Sequence, residues 1–268
     1  MEEFIQSRQN PRIKALSRLQ ERAGRRKFGR FAVEGLRELE RCMQSGVEVD
    51  EVYFCPELFK SGAHAPFIDS LRGKIPLCRL SAPAFEKISN REGCDGIFGV
   101  CGQWKTSLAE ISLPTDRPAL VLVCDAVEKP GNLGAMLRSA DAAGADAVLL
   151  SNPVSDIFNP SVIRASQGAV FSQKIVEASP EEIFAWLKKN GIRSYAAALG
   201  AKDCVWNCDF RRPSAIVMGS EKDGLPPEIL AMCDEIVKIP MLGMADSLNV
   251  NIAATLIMFE FVRQNFKA

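Results

Sequence analysis

The sequence predicts an α/β protein in two parts: a small front module, then a longer part built on a mostly parallel sheet. Three observations predict it. Short apolar segments alternate with segments of helical periodicity along the whole chain. Residues 119–124, Ala-Leu-Val-Leu-Val-Cys, are continuously apolar, as in a strand buried on both faces. The periodicity lapses over 103–117, and 268 residues suit two small domains or one large one.

In the front part, 9–22 reads as a helix, with Ile13, Leu16 and Leu19 at helical spacing and Asn10-Pro11 as cap and first-turn proline. A strand at 31–33, a helix at 35–45 and a strand at 52–55 follow. Then come a helix at 65–72, a strand at 75–78, a helix at 82–89 and a strand at 96–101. The domain assignment is therefore 1–104, a linker at 105–117, and 118–268. After the linker, strand 119–124 leads to helix 132–143, strand 146–150, helix 159–167, strand 174–177, helix 180–190 and strand 193–198. Strand 215–218, helix 226–233, strand 235–239 and helix 247–265 complete the pattern, which argues for parallel strands covered on both faces.

Composition narrows the function. No apolar run approaches the ~18 residues of a membrane span, and the N-terminus lacks a secretory layout, so a cytoplasmic protein is expected. Nine cysteines, an odd number without C-x-x-C, read as reduced thiols. The single histidine, His64, lies in a loop-like stretch, so histidine-based nucleophilic or metal catalysis is not expected, and no metal is. Charge is balanced at 33 basic and 33 acidic residues. Residues 1–30, however, carry nine Lys/Arg against three Glu, a net of +6, leaving −6 for the remainder. Such an arm suits a polyanion such as RNA, through Arg8, Arg12, Lys14, Arg18, Arg25, Arg26, Lys27 and Arg30; a solvated amphipathic helix explains it equally well.

Ligands of parallel sheets bind at the carboxyl ends of strands, and three strand-end loops stand out. In the first, Asp125 to Arg138, Asn132 caps a helix and Arg138 stands off its apolar stripe, free to meet a phosphate or to pair with Asp141. In the second, Gly219 ends a strand, where a missing Cβ would admit a ligand to the backbone, and Glu221 follows. In the third, Ser247, Asn249 and Asn251 cluster before a helix apolar almost all round, as expected of a buried or interfacial helix. No two glycines are separated by a single residue, which excludes the dinucleotide fingerprint.

Together these segments resemble the three motifs of the SpoU (TrmH-type) branch of the SPOUT RNA methyltransferases. The first is Pro130-Gly-Asn-Leu-Gly-Ala-Met-Leu-Arg-Ser-Ala-Asp-Ala-Ala-Gly-Ala145, and the second Val217-Met-Gly-Ser-Glu-Lys-Asp-Gly-Leu225. The third is Ile239-Pro-Met with Ser247-Leu-Asn-Val250, and Arg164-Ala-Ser-Gln-Gly-Ala169 matches the segment between the first two. Ser7 to Lys14 and Phe31-Ala-Val-Glu-Gly35 resemble the ribosomal-protein-like substrate-binding module often found ahead of it. Lys222-Asp223 and Asn251 depart from residues common in the family, without removing a functional one.

The resemblance implies a SPOUT domain with a parallel sheet and deep trefoil knot, a homodimer with active sites near its interface, and S-adenosyl-L-methionine as cofactor. It implies methylation of a ribose 2′-hydroxyl, in ribosomal RNA by analogy with the added module, or in tRNA. A non-catalytic RNA-binding assembly protein on the same fold is the alternative. It further implies Arg138 as the catalytic arginine beside Asn132, with Glu221, Ser247 and Asn249. Leu199, Gly200, Gly219, Ile239, Met241 and Leu248 become the cofactor-binding positions. A guanidinium stays protonated, so Arg138 as a base would require unusual surroundings; the milder alternative is that it grips the phosphate and steadies the forming alkoxide.

Overall fold

The computed structural model describes residues 3–266; Met1, Glu2, Lys267 and Ala268, which the charge count and domain bounds include, lie outside the described residues. The chain forms two compact units, one from the N-terminal part to Trp104 plus Asp156–Phe171, the other from Lys105–Ser155 plus the chain from Ser172 onward.

The first unit contains β1 (Glu3–Ile5), α1 (Pro11–Ser17), α2 (Arg22–Phe28), β2 (Arg30–Glu34), α3 (Leu36–Gln44), β3 (Val49–Phe54), α4 (His64–Leu71), β4 (Leu77–Leu80), α5 (Ala82–Ile88) and β5 (Ile97–Gly102). Its sheet runs β1-β4-β3-β5-β2, with β5 antiparallel to both neighbours. Ile13, Leu16 and Leu19 meet Ala84, Phe85 and Ile88 in one core, so α1 lies on α5. The single helix expected at 9–22 is instead α1, a 3-10 turn at Arg18–Gln20 and α2. The break is steric. Glu21 is extended, and a Cβ on Gly24 would stand 2.0 Å from the Arg18 carbonyl oxygen, so only glycine lets α2 cross so closely. The strand expected at 75–78 starts two residues later, after Pro76, whose carbonyl accepts from Val52. Three-residue β1 has no periodicity to read and is not among the expected strands.

The second unit begins with Leu108, Ile111 and Leu113, from the stretch expected as a linker, packed on its core. Then follow β6 (Leu120–Asp125), α6 (Pro130–Ala142) and β7 (Ala147–Ser151). The chain next gives α7 (Pro160–Ala165) to the first unit. It returns as β8 (Ile175–Glu177), α8 (Pro180–Lys189), β9 (Arg193–Ala197), β10 (Asp203–Cys204), β11 (Ser214–Met218), α9 (Pro227–Met232), β12 (Glu235–Lys238) and α10 (Val250–Asn265). The order is β10-β12-β9-β11-β6-β7-β8, and every pair is parallel. Every residue of β6 is buried, as its apolar run requires. Val121 and Val123 pack with α8 and α9 residues Ile183, Leu187 and Ile229. Leu120 and Leu122 alternate to the other face, and α10 packs against α6 and β11.

Within the first unit, Asp156–Phe171 is held by two features. Phe158 and Phe171 join Phe31 and Trp104 in an aromatic cluster, the Trp104–Phe158 centroids 4.7 Å apart at 90°. Arg25, only 2% exposed, pairs with Asp156 at 2.6 Å and donates to the carbonyls of Leu19 and Gln20. Arg25, expected from the sequence to touch RNA, is instead a buried strut. Removing one partner of such a pair strands the other's charge. Arg25→Ala is expected to destabilise the first unit by about 3–5 kcal/mol, read by urea unfolding.

Candidate active site

The carboxyl ends of β9, β11 and β12, neighbours in the sheet, open onto a cavity of about 590 Å3. Its walls include Ala197 to Leu199 after β9, Met218 to Leu225 after β11, Val237 to Ile239 and Met241 after β12, and Ser247 to Val250 entering α10. Parallel strands place their ligands at this end, where loops diverge and backbone groups lack sheet partners. Apolar side chains (Leu199, Ile239, Met241, Leu248) alternate there with Asn132, Glu221, Ser247 and Asn249. This size and mixture suit a small organic ligand of nucleoside size.

The polar side is one hydrogen-bonded chain. Glu221 accepts from the backbone N–H groups of Glu128 and Lys129 at 3.0 and 3.1 Å, and from Asn132 Nδ2 at 2.7 Å. That fixes the Asn132 amide: its nitrogen faces the carboxylate, so Oδ1 faces away and accepts from Asn249 Nδ2 at 3.1 Å. Asn249 Oδ1 in turn accepts from the Asn251 N–H and caps α10. Burial alone would raise the Glu221 pKa; hydrogen bonds from Glu128, Asn132 and Lys129 outweigh it and hold the carboxyl below its ordinary value. The carboxylate also sits at the start of α6, where the helix dipole favours a negative charge.

The backbone sets up this arrangement. Asp125, buried at the end of β6, accepts from Ser151 and Asn152 side chains, and Ala126 turns the chain with φ of 49°. Ser155 Oγ holds the Glu128 carbonyl at 2.7 Å, which aims the 128 and 129 N–H groups at Glu221. After β11, Ser220 and Gly224 exchange backbone hydrogen bonds, closing a tight loop. A Cβ on Gly219 would lie 2.2 Å from the Gly224 backbone. The chain's own return therefore already requires a glycine at 219, which also lines the cavity.

Two caps differ from expectation. Helix α6 starts at Pro130 rather than near Asn132, and Lys129 is its cap, without a side-chain bond; Asn132 is left for Glu221 and Asn249. Helix α10 starts at Val250 rather than 247, because Asn249 is its cap. Ser247 lines the cavity and makes no hydrogen bond among the described residues. Asn251 accepts from Ser139 Oγ at 3.1 Å, and Thr255 Oγ1 lies 2.7 Å from Ser139 Oγ, so a small polar cluster ties α6 to α10.

The structure brings Asn132, Glu221, Ser247 and Asn249 together with Leu199, Gly219, Ile239, Met241 and Leu248 around one cavity. Gly200 and Arg138 are not in its lining. Arg138 is exposed on α6 and has no hydrogen bond or ion pair among the described residues. The alternative Arg138–Asp141 pair does not form; Asp141 accepts from Ser172 and Gln173 instead. Sequence reasoning missed Lys129, Met218, Ser220 and Ala253 in the wall, and the Glu128 and Lys129 N–H groups. Among the described residues, no group of three or more His, Cys, Asp or Glu is placed to hold a metal ion.

Of the proposed RNA-contacting residues, Arg12 pairs with Glu3 and Glu51, Arg25 with Asp156, and Arg30 with Asp50. Arg8, Lys14, Arg18 and Arg26 have no acidic partner among the described residues, and Lys27 lies over the Phe28 ring.

Comparison with known proteins is consistent along the chain. Residues 119–259 match the SpoU rRNA Methylase family model, and 10–99 match an MRM3-like substrate binding domain. The 23S rRNA (guanosine(2553)-2′-O)-methyltransferase RlmP of Bacillus subtilis (strain 168) is 32% identical over 95% of this chain and 97% of its own. The tRNA (guanosine(18)-2′-O)-methyltransferase of Thermus thermophilus is 38% identical, over 57% of this chain and 78% of its own. The crystal structure of an AdoMet-bound rRNA methyltransferase from Sinorhizobium meliloti superposes with a TM-score of 0.87 at 27% identity, covering 99% of each chain. A family model that spans all three strand-end loops, and relatives matched along nearly their whole length, place this chain in the SpoU rRNA methylase family.

Proposed function

We propose that this chain, in the cytoplasm, transfers the methyl group of S-adenosyl-L-methionine to a ribose 2′-hydroxyl of ribosomal RNA. The observation that carries the proposal is the cavity at three adjacent strand ends, walled on one side by the Glu221–Asn132–Asn249 chain. Its residues fit the donor: Leu199, Ile239, Met241 and Leu248 offer apolar surface to an adenosine, and the strand-end backbone offers hydrogen-bonding groups. When bound, the donor supplies an activated methyl group and its own leaving group. Ribosomal RNA is favoured over tRNA because the ribosomal RNA enzyme RlmP matches both units, whereas the tRNA enzyme matches little more than half of the chain.

The protein's work is alignment. Glu221 keeps its charge and its lone pairs on its own chain, so it organises the site and is not the base. Ser247, unpartnered in the wall, is free to bond donor or ribose. Arg138 carries the positive charge that grips the phosphate beside the target ribose and stabilises the oxygen as its proton leaves to water.

Arg138 does this from a second copy of the chain. It lies about 120° around α6 from Asn132, given 3.6 residues per turn. It shares its face with Gly131, Ala135 and Ala142, residues small enough for close approach. On α10, Ile252, Leu256 and Phe259 leave an apolar stripe 38–49% exposed, which a homodimer would cover. The knot is part of the same reading: β12 inserts between β10 and β9, and α10 then returns against α6 and β11, as a threaded C-terminal segment would.

Labelled S-adenosyl-L-methionine with RNA from cells lacking this gene should yield one 2′-O-methylated nucleoside, in ribosomal RNA. No transfer together with no donor binding would overturn the reading. Arg138→Ala should lower kcat by about 10²–10³. Arg138→Lys should lose at least about tenfold, because lysine lacks the forked donors; near-normal turnover would sink the phosphate clamp. The Glu221 carboxyl is held low, so its stabilisation is complete above the ordinary carboxylate value and fades as pH falls through the lowered one. Glu221→Gln should therefore be less stable than the parent at neutral pH, with the gap closing below about pH 4 in thermal melts.

A further inference from the structure

The first unit carries a second concavity, formed in part by the Ser7 to Lys14 segment. It encloses about 510 Å3 and is lined by Arg8, Gln9, Lys14, Ser17, Arg18 and Lys87. Four of the six are cations and none is an acid. Lys14 is exposed on α1, and Arg18, one turn further on, is the cap that ends that helix. Arg8 and Gln9 come from the turn before it, and Lys87 from the last turn of α5. Packing sets the arrangement. Ile13 and Leu16 of α1 meet Ala84, Phe85 and Ile88 of α5, and Gln20 Nε2 donates to the Ile88 carbonyl at 2.5 Å, which leaves Lys87 facing outward beside α1.

The four cations form no ion pair among the described residues, whereas Arg12, Arg25 and Arg30 of the same basic arm all do. Like charges gathered without acids repel in the free protein, and a polyanion relieves that repulsion. All four side chains are exposed and the concavity is open, with no buried polar group to define a site for one small anion. That suits a chain of phosphates threading past.

We infer that the Arg8–Lys14–Arg18–Lys87 groove is a sequence-independent docking site for the RNA phosphodiester backbone, separate from the methyl-transfer cavity. The inference rests on the RNA-methyltransferase reading and adds to it a place where substrate backbone is held and a residue, Lys87, outside the N-terminal basic run. Contacts of this kind release counterions, so they are read in the salt dependence of binding, about 0.7 of a unit of log–log slope per single-strand phosphate.

The test uses the full chain and fluorescein-labelled poly(U), titrated across a range of KCl concentrations. Lys14→Gln/Lys87→Gln is compared with Lys188→Gln/Lys189→Gln, which removes the same charge from α8 in the second unit. The groove pair should lower the slope by about 1.4 and weaken binding at least tenfold at low salt, while the α8 pair leaves both near the parent values. Equal slopes for the parent and both variants, with RNA still bound and methylated, would overturn the groove alone. A parent that binds no RNA at low salt would overturn the groove and the methyltransferase reading together.

Discussion

The arrangement of the second unit's site depends on one carboxylate. Glu221 lies on the loop after β11, and its three acceptor bonds all go to the segment after β6. Strands β6 and β11 are hydrogen-bonded neighbours, so the sheet brings the two loops close, but it does not by itself orient them. The carboxylate does, by satisfying two backbone N–H groups just before α6 that would otherwise lack partners. From there each step is dictated by donor and acceptor count. Asn132 turns its nitrogen to Glu221, Asn249 turns its nitrogen to Asn132, and the remaining Asn249 oxygen caps α10. An anion at one helix start is thereby connected to the cap of another helix.

Gly219 belongs to the same constraint. The loop that carries Glu221 folds back so tightly that the Gly224 carbonyl fills the place of a Cβ. Gly224 itself has a φ of 70°, which a glycine adopts without strain. Two glycines therefore let five residues leave the sheet, present a carboxylate and return, with Asp223 N–H bonded to Ser220 Oγ inside the turn. Lys222 and Asp223 sit at the exposed tip of this loop, at the rim of the cavity.

The fold is largely readable because its strands are short apolar runs and its helices carry regular stripes, as at β6 and α8. Reading fails where three-dimensional proximity, and not local pattern, decides. No periodicity signals that Gly24 must pass within van der Waals contact of Arg18, so the pattern suggests one helix where two stand. Two-residue β10 and three-residue β1 exist only because a partner strand lies alongside. In the site, residue identities are legible but their partnerships are not. Asn132 looks like a cap because asparagine before an apolar stripe usually is one, yet Pro130 starts the helix earlier and releases Asn132 for Glu221.

Charge gives the sharpest instance of the same limit. Along the sequence the N-terminal cations are equivalent, a run with a net of +6. Folding sorts them by what lies opposite. Arg25 meets Asp156, far away in the chain, and becomes part of the interior. Arg12 spans Glu3 and Glu51 and lies over the Tyr53 ring. Both are neutralised before any ligand arrives, and a neutralised cation releases few counterions when a phosphate approaches. Arg8, Lys14 and Arg18, which remain uncompensated, line the groove with Lys87 from α5. The same reasoning applies to Arg138. It is exposed on α6 and has no hydrogen bond or ion pair among the described residues, so folding leaves its charge uncompensated as well.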